Sequence, residues 1–526
     1  MVKKIFISLI IAFVSIYPFL GKGLPPTHDG EYHVVRFYEF DKTLRDGSLY
    51  PRWAPDLNNS FGVPLFNYVY PLPNYFSSFF HLFGSSFIDA FKFNMLFATI
   101  IGSVFVFLWA REFWGDVGGL ISSAFFSFSP YRLLDIYIRG SVGEVWALAL
   151  FPGFLWAITK YSKNRNKKYA ALSSVIFALV IFSHNILSLM FFVFAIFYIL
   201  MILQKKLLAK YFLVMFLGLG LASIFWVPAL FEKGYVRGLD IYDYSQNFPE
   251  LYQLIFPSWG SGFSNSSLNN QLSFQIGIAN LLAIMVAFIL MLKKKVPRRI
   301  TLFLLVTFLI VIFLMLRTSL PIWRTIPLMN YFQFPWRFLS LETLIASFLA
   351  GGLIMAWNSK ILASSLVLIV IFLGIGYAKP AYFLQRDDNY YTTRSNFIDG
   401  TNSPGNTFNT LWFINQPKQK KIISDLNIQD TKVKSTEYQF RVTSDKSTDI
   451  LISTAYFPGW NYYSDNKKES IEKTKDGLMR ITVGKGTHDI KVVLENTQIR
   501  SLATLLSMIS ALALLLWSFG FDRIRR

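Results

Sequence analysis

Near the start of the sequence, three side chains of complementary chemistry stand at helical spacing. Asp29, His33 and Arg36 lie at i, i+4 and i+7, in and just after the stretch PPTHDGEYH. On a helix that starts at Asp29 they share one face, so an acid, an imidazole and a guanidinium come together. A carboxylate in that setting can take a proton from a hydroxyl, a contribution of typically about 10²–10⁴-fold in rate. The competing use of Asp29 is as a helix N-cap after a Pro-rich stretch, a common job for aspartate. For His28 and His33 the plainer reading is as solvated interface histidines.

A second set lies further on, in YRLLDIYIRGS followed by VGEVW, which holds Tyr131, Arg132, Asp135, Arg139 and Glu144. Glu144 falls at the head of an apolar run. A charge at mid-bilayer costs about 2.5–3.5 kcal/mol on insertion scales and less near a helix end. Glu144 is therefore expected to face a bundle interior or a wet cavity, with Arg139 the nearest basic partner in sequence. The alternative is an interfacial ion pair that only anchors helices. His184 and Asn185 interrupt another apolar run, where their simplest use is to satisfy a turn backbone. In YFQFPWR, Gln333 and Arg337 stand at the head of a run. Arginine suits an anionic phosphate through its bidentate fork, and equally suits snorkelling to lipid headgroups. Residues 51–73 alternate aromatics and prolines with Asn58, Asn59, Gly62 and Asn67. That stretch reads as an ordered loop lining a cleft or lying at a membrane interface.

The elements that must position these groups are membrane helices. Of 526 residues, 53% are hydrophobic, 18% aromatic and only 16% charged, and the apolar mass falls in blocks. A span needs about 20 mostly apolar residues. Twelve stretches qualify, at about 4–20, 92–110, 118–130, 142–159, 169–183, 186–203, 211–230, 274–292, 300–316, 338–356, 361–378 and 499–519. The one at 118–130 is short, and is expected to be tilted or partly re-entrant. The opening MVKK plus the apolar run Ile5 to Leu20 has signal-peptide character, but no small-residue cleavage site follows, so it reads as an uncleaved first span. Lys3 and Lys4, the 160–168 cluster, Lys205, Lys206 and Lys210, the 293–299 cluster, and Arg523, Arg525 and Arg526 all fall on one side of a twelve-span topology. Positive loops stay in the cytoplasm, so both termini are expected there. This placement also explains the net charge of +20 without any nucleic acid.

The outer face then receives residues 21–91, 131–141, 231–273 and 379–498, with a short loop at 317–337. The 379–498 piece alternates with period two: Tyr438, Phe440, Val442; Ile450, Ile452; Met479, Ile481, Val483; Ile490, Val492, Leu494. With turns at Phe457–Trp460 and Gly484–Asp489, it reads as a small β-sandwich-like domain outside the membrane. The expected division is a membrane domain at 1–378, this β-rich domain at 379–498, and a last helix with a basic tail at 499–526. The absence of cysteine excludes a disulfide framework, a Cys nucleophile and thiolate metal sites. No Walker A, HExxH or GxSxG run is present.

One short span, an outer loop with an early acid, many spans with basic inner turns and an outer soluble domain together resemble the GT-C superfamily of membrane glycosyltransferases. THDGEYH, PRWAPDLNNSFGVPLFNYVYPLP, YRLLDIYIRGSVGE, FSHN and FQFPWRF more closely resemble the bacterial "6-pyruvoyl-tetrahydropterin synthase-related" integral membrane family, over most of residues 1–378. The label brings no pterin chemistry. Pterin synthases of that name are small soluble zinc enzymes with clustered histidines, whereas the five here are scattered. The resemblance implies inverting transfer of a sugar from a polyprenyl-phosphate donor to an envelope glycan or lipid acceptor on the outer face. It puts the catalytic base at Asp29, the donor phosphate at Arg139 and Arg337 with His184 behind them, and Glu144 on Arg139 or the acceptor. His28, His33 and Gln333 are further substrate-binding candidates. No cofactor is assigned, and a divalent metal near Asp29, Glu31 and His33 is left open. The competing classes are a flippase for lipid-linked saccharide and a non-catalytic envelope scaffold.

Overall fold

The computed structural model describes residues 1–238, 243–265, 270–356 and 359–519. Helix lies within each expected stretch, but the one at 274–292 shortens to Ile278–Leu292, its first four residues being non-helical. Among the described residues, eight helices are long and apolar enough to cross a membrane, and nine if one bent pair counts as a span. That pair corrects the single span expected at 211–230: Lys205–Leu221 and Ser223–Phe231 meet at 71°. The basic tail at Arg523, Arg525 and Arg526 lies outside the described residues.

The stretches expected at 92–110 and 118–130 form one element, Phe87–Ser127, which folds back on itself at Gly115 (φ 71°, ψ −177°). Only glycine adopts that backbone region readily. Ser103 and Ser123 then face each other across the two arms, Oγ to Oγ at 2.6 Å. The short return arm is buried throughout its second half. It needs less length because it packs inside, where a Cβ on Gly118 would come 2.7 Å from the Gly351 carbonyl oxygen. Small residues let membrane helices approach this closely.

Val142–Asn164 and Pro335–Met355 are the central helices, each 94% buried over its apolar stretch, whereas Lys360–Tyr377 is only 17% buried and lies at the periphery. A helix apolar all round belongs in the middle of a bundle. The heads of these two central helices carry Glu144 and Arg337. At the other end of the bundle the Met1 amine meets Asp116 at 2.9 Å, Arg111 meets Asp116 at 2.5 Å, and Glu112 takes Lys160 at 2.8 Å and Lys163 at 3.1 Å. The N-terminus and the 160–168 cluster thus share one end, as the charge pattern required.

The β-rich region is two antiparallel sheets. One runs Ile422–Ile423, Thr448–Ala455, Leu478–Val483, Glu472–Lys473 in space; the other runs Ile428–Val433, Glu437–Ser444, Gly486–Leu494, Trp460–Ser464, Lys467–Glu469. Every residue of the alternating set is buried except Leu494, which is half-buried at the rim. Trp53, Phe61 and Tyr68, from the segment between the first two membrane helices, join the same apolar cluster. A buried polar clamp reinforces the junction. Glu232 accepts from Arg500 Nε at 2.9 Å, from Asn67 Nδ2 at 2.9 Å and from Thr497 Oγ1 at 2.6 Å.

Candidate active site at the heads of the central helices

The helix expected from about Gly30 to Leu44 is found as Gly30–Arg45, with Asp29 in the N-cap position but making no side-chain cap. Thr27 takes over instead: its Oγ1 accepts the Gly30 N–H at 3.1 Å. That substitution corrects the N-cap reading of Asp29. Its carboxylate has no hydrogen-bond or ion-pair partner among the described residues, and it is half-buried. Burial pushes the carboxyl above the ordinary aspartate range, against the pull of Arg139 first and Arg36 second.

The main chain sets Asp29 beside the second set of residues. His28 N–H donates to Ile138 O and Asp29 N–H to Arg139 O, both at 2.9 Å. The segment Pro130–Arg139 is a helical turn widening into a π-turn over Asp135–Arg139, not the loop expected at 131–141, and Gly140 ends it at φ 64°. A Cβ on Gly140 would stand 2.2 Å from Thr27 Oγ1, so the close approach of the two segments requires glycine there.

Glu144, fully buried, is the hub. Arg139 grips it with both terminal nitrogens, Nη1 to Oε2 at 2.6 Å and Nη2 to Oε1 at 2.8 Å. Arg337 donates Nε to Oε1 at 2.8 Å, and the Tyr131 hydroxyl donates to Oε2 at 3.1 Å. Arg139 Nη1 also reaches Asp135. Arg337 Nη1 donates to Gln333 Oε1 at 2.7 Å and Phe332 O at 3.0 Å. Both guanidiniums lie over aromatic faces, Arg139 4.7 Å from the Trp336 centroid and Arg337 4.9 Å from Phe334. Arg139 Nε and Arg337 Nη2 keep no protein acceptor among the described residues.

His184 serves the turn and the site together. Its Nδ1 accepts the Leu187 N–H at 3.1 Å, capping the helix Asn185–Ile202. Nδ1 is thereby an acceptor, so the neutral ring carries its proton on Nε2, which lies 3.7 Å from Glu144 Oε1. Tyr70 stacks obliquely on His184 at 5.3 Å and is seated over Gly143, where a Cβ would stand 2.4 Å from Tyr70 Cζ. Its hydroxyl has no hydrogen-bond partner among the described residues, and Asp29, Arg36, Glu144 and Arg337 all act on it electrostatically.

Seven of the eight sequence candidates gather here: Asp29, His28, Arg139, Glu144, His184, Gln333 and Arg337. His28 lies at the edge, its Nε2 2.7 Å from Ser261 O and its ring against Phe263. His33 departs from the expectation of a solvated histidine. It is buried between Phe37 and Phe91, and this apolar seat pushes its pKa well down. Arg36 turns to Asn402 O at 2.8 Å and Ser403 Oγ at 3.0 Å. Among the described residues, no group of three or more His, Asp or Glu is placed to hold a metal ion, so Asp29, Glu31 and His33 do not form a ligand set. Asp135 and Tyr131, named in the second set without a role, belong to the site, as do Tyr70 and Trp336, which the sequence did not single out. The signal available for Asp135 was its i, i+4 spacing to Arg139; Tyr70 had none, because its approach depends on a glycine 73 residues away.

A multi-pass helical membrane protein with a buried carboxylate–guanidinium hub at one end of its central helices is the class that fold and site define. The chain belongs to the family described as "6-pyruvoyl-tetrahydropterin synthase related domain; membrane protein", whose model matches residues 66–384. A second family model, "Bacterial membrane protein YfhO", matches residues 405–494. A protein of Lactococcus lactis subsp. cremoris (strain MG1363), described as an uncharacterized protein, is 24% identical over 258 residues, 46% of this chain and 42% of that one. Among solved structures, the arabinofuranosyltransferase AftD from Mycobacteria is similar at 17% identity and TM-score 0.45, over 72% of this chain and 26% of that chain. A mutant of AftD gives 16% and 0.43, over 72% and 27%. The chain thus spans less than half the length of each of these relatives.

Proposed function

We propose that the chain is a membrane glycosyltransferase of the GT-C type. It moves a sugar from a polyprenyl-phosphate donor to an envelope glycan or lipid acceptor on the outer face. One observation carries the reading: an unpartnered carboxylate, Asp29, is bonded through its main chain to Arg139, and Arg139 and Arg337 are held in fixed orientation by one buried glutamate. The basic end of the bundle faces the cytoplasm, which puts Asp29 outside. Residues 1–378 and 499–526 form the catalytic membrane part, and 379–498 an accessory domain over it.

In the transfer step the acceptor hydroxyl gives its proton to Asp29. The acceptor oxygen bonds to the anomeric carbon as the bond from that carbon to the phosphate oxygen breaks. The electron pair of the broken bond stays on the phosphate, where the uncommitted N–H groups of Arg139 and Arg337 stabilise it. Glu144 and Asp135 balance the two arginines, so their role is fixed hydrogen-bond geometry more than net positive charge. His184, Gln333 and Tyr131 hold the hub in place.

Purified chain in lipid nanodiscs, given labelled polyprenyl-phosphate sugar and envelope extract, tests the reading. Transfer is expected with the native chain and lost in Asp29→Asn. Turnover retained by Asp29→Asn removes that residue as base. Movement of lipid-linked sugar across vesicles without a new glycosidic bond would establish a flippase instead.

A further inference from the structure

The helix Gly30–Arg45 that carries Asp29 at its head runs away from the site and borders a second feature at its far end. A cleft of about 520 Å³ is lined there by Tyr38, Asp41, His81, Phe87, Asn389 and Thr392, among others. Its volume lies within the range of about 300–1,000 Å³ usual for ligand clefts. Asp41 stands twelve residues beyond Asp29, about 18 Å along a helix that rises about 1.5 Å per residue. That separation exceeds one sugar and suits a chain of several.

The chemistry of the lining narrows the ligand. Every charge bordering the cleft already has a partner. Asp41 binds Arg45 at 2.6 Å and faces His81 at 3.8 Å. Lys42 binds Asp56 at 2.6 Å. Asp46 accepts from Ser435 N at 2.7 Å and Ser435 Oγ at 2.5 Å. Asp388 caps Phe87 N at 2.7 Å and Ile88 N at 3.1 Å. Among the described lining residues the acids Asp41, Asp46 and Asp388 outnumber the bases Lys42 and Arg45, so an anionic ligand would meet net negative charge. What remains is aromatic surface on Tyr38, with the His81 ring stacked 4.1 Å from Phe87, and the exposed amide of Asn389, whose side chain has no partner among the described residues. Ring faces beside uncharged hydrogen-bonding groups suit a neutral polyhydroxylated chain.

We propose that this cleft binds a neutral oligosaccharide stretch of the acceptor, several sugars back from the end that reacts at Asp29. The inference rests on the glycosyltransferase reading for its direction, and the test reads binding alone. Full-length chain in detergent micelles is applied to a glycan array carrying neutral and anionic saccharides, from single sugars to decasaccharides. Binding is expected on neutral chains of several sugars and not on single sugars. Thr392→Trp and the more exposed Asn389→Trp each fill the cleft and should weaken binding about tenfold or more, equivalent to about 1.4 kcal/mol. Asp29→Asn should leave it unchanged. No bound glycan, binding confined to anionic chains, or binding that both tryptophan variants leave intact would overturn the proposal. Binding lost in those variants alongside unimpaired turnover by Asp29→Asn would keep the cleft and remove the proposed base.

Discussion

The main-chain N–H of Asp29 donates to the carbonyl of Arg139 at 2.9 Å, tying two residues 110 positions apart in the chain. The carboxylate of Asp29 is meanwhile excused from capping its own helix by Thr27. Position and freedom of the acid therefore come from different residues, and they separate by mutation. Asp29→Asn should lower transfer by about 10²-fold or more while the thermal midpoint stays put. Thr27→Ala should cost about 1 kcal/mol of stability, the usual price of a lost cap. Activity assays run beside thermal unfolding in detergent check both; a large loss of midpoint in Asp29→Asn would mean the acid is structural.

Gly140 is the second handle on this contact. An added methyl would meet Thr27 Oγ1 at 2.2 Å, at a left-handed φ of 64°. The backbone penalty alone is about 1–2 kcal/mol for an L-residue. Gly140→Ala is expected to push the 138–140 segment off residues 28–29 and to cut kcat. Steady-state kinetics decide it, with unchanged kcat counting against the main-chain tie.

Glu144 neutralises guanidiniums from two different parts of the chain. Removing one partner of such a buried ion group costs about 3–5 kcal/mol. Glu144→Gln should lower the unfolding midpoint clearly, and Arg337→Lys should raise KM for the lipid donor, since an ammonium lacks the planar fork. A Glu144→Gln protein as stable as the native chain would show that water or lipid already supplies the counter-charge.

The Asp29 pKa lies above the usual aspartate range because burial outweighs the pull of Arg139 and Arg36. A base must be deprotonated to act, so the acidic limb of kcat/KM should fall at higher pH than an ordinary aspartate gives. A pH–rate profile flat down to the ordinary aspartate range would oppose this assignment.

Glu39, buried in the same helix, is pushed up to about 8 by desolvation and the neighbouring Asp56 carboxylate. Its folded pKa exceeds its unfolded one, so folding favours the protonated form. The associated stability is complete below the unfolded value and is lost as pH rises through about 8. Thermal unfolding from pH 5 to 9 should show that decline, and Glu39→Gln should flatten it. An identical pH dependence in the variant would rule Glu39 out as its source.

Much of the bundle was legible because bilayer helices obey two local rules, length and apolarity. The sandwich strands were legible from the period-two run Tyr438, Phe440, Val442, all buried as that alternation requires. The break at Ala222 was not read, although Gly218, Gly220 and Ser223 flank it; the turn is also held from outside, by Ser507 Oγ accepting the Ile224 N–H at 2.9 Å. Site residues at helix heads stood out as charges that hydrophobic surroundings tolerate only when paired. Tyr70 did not, since it looks like one more interfacial aromatic, and Asp135 was named beside Arg139 without a role.

Sequence alone determined that the chain crosses a membrane many times, that a β-rich region follows, and which charged residues needed company. Tertiary structure decided who keeps that company. Glu144 is nearest in sequence to Arg139, yet it also takes Arg337, 193 positions away, while the nearby Asp29 takes neither side chain. Pairing at that range is set by which helix heads the packed interior brings together, and no local pattern of residues encodes it.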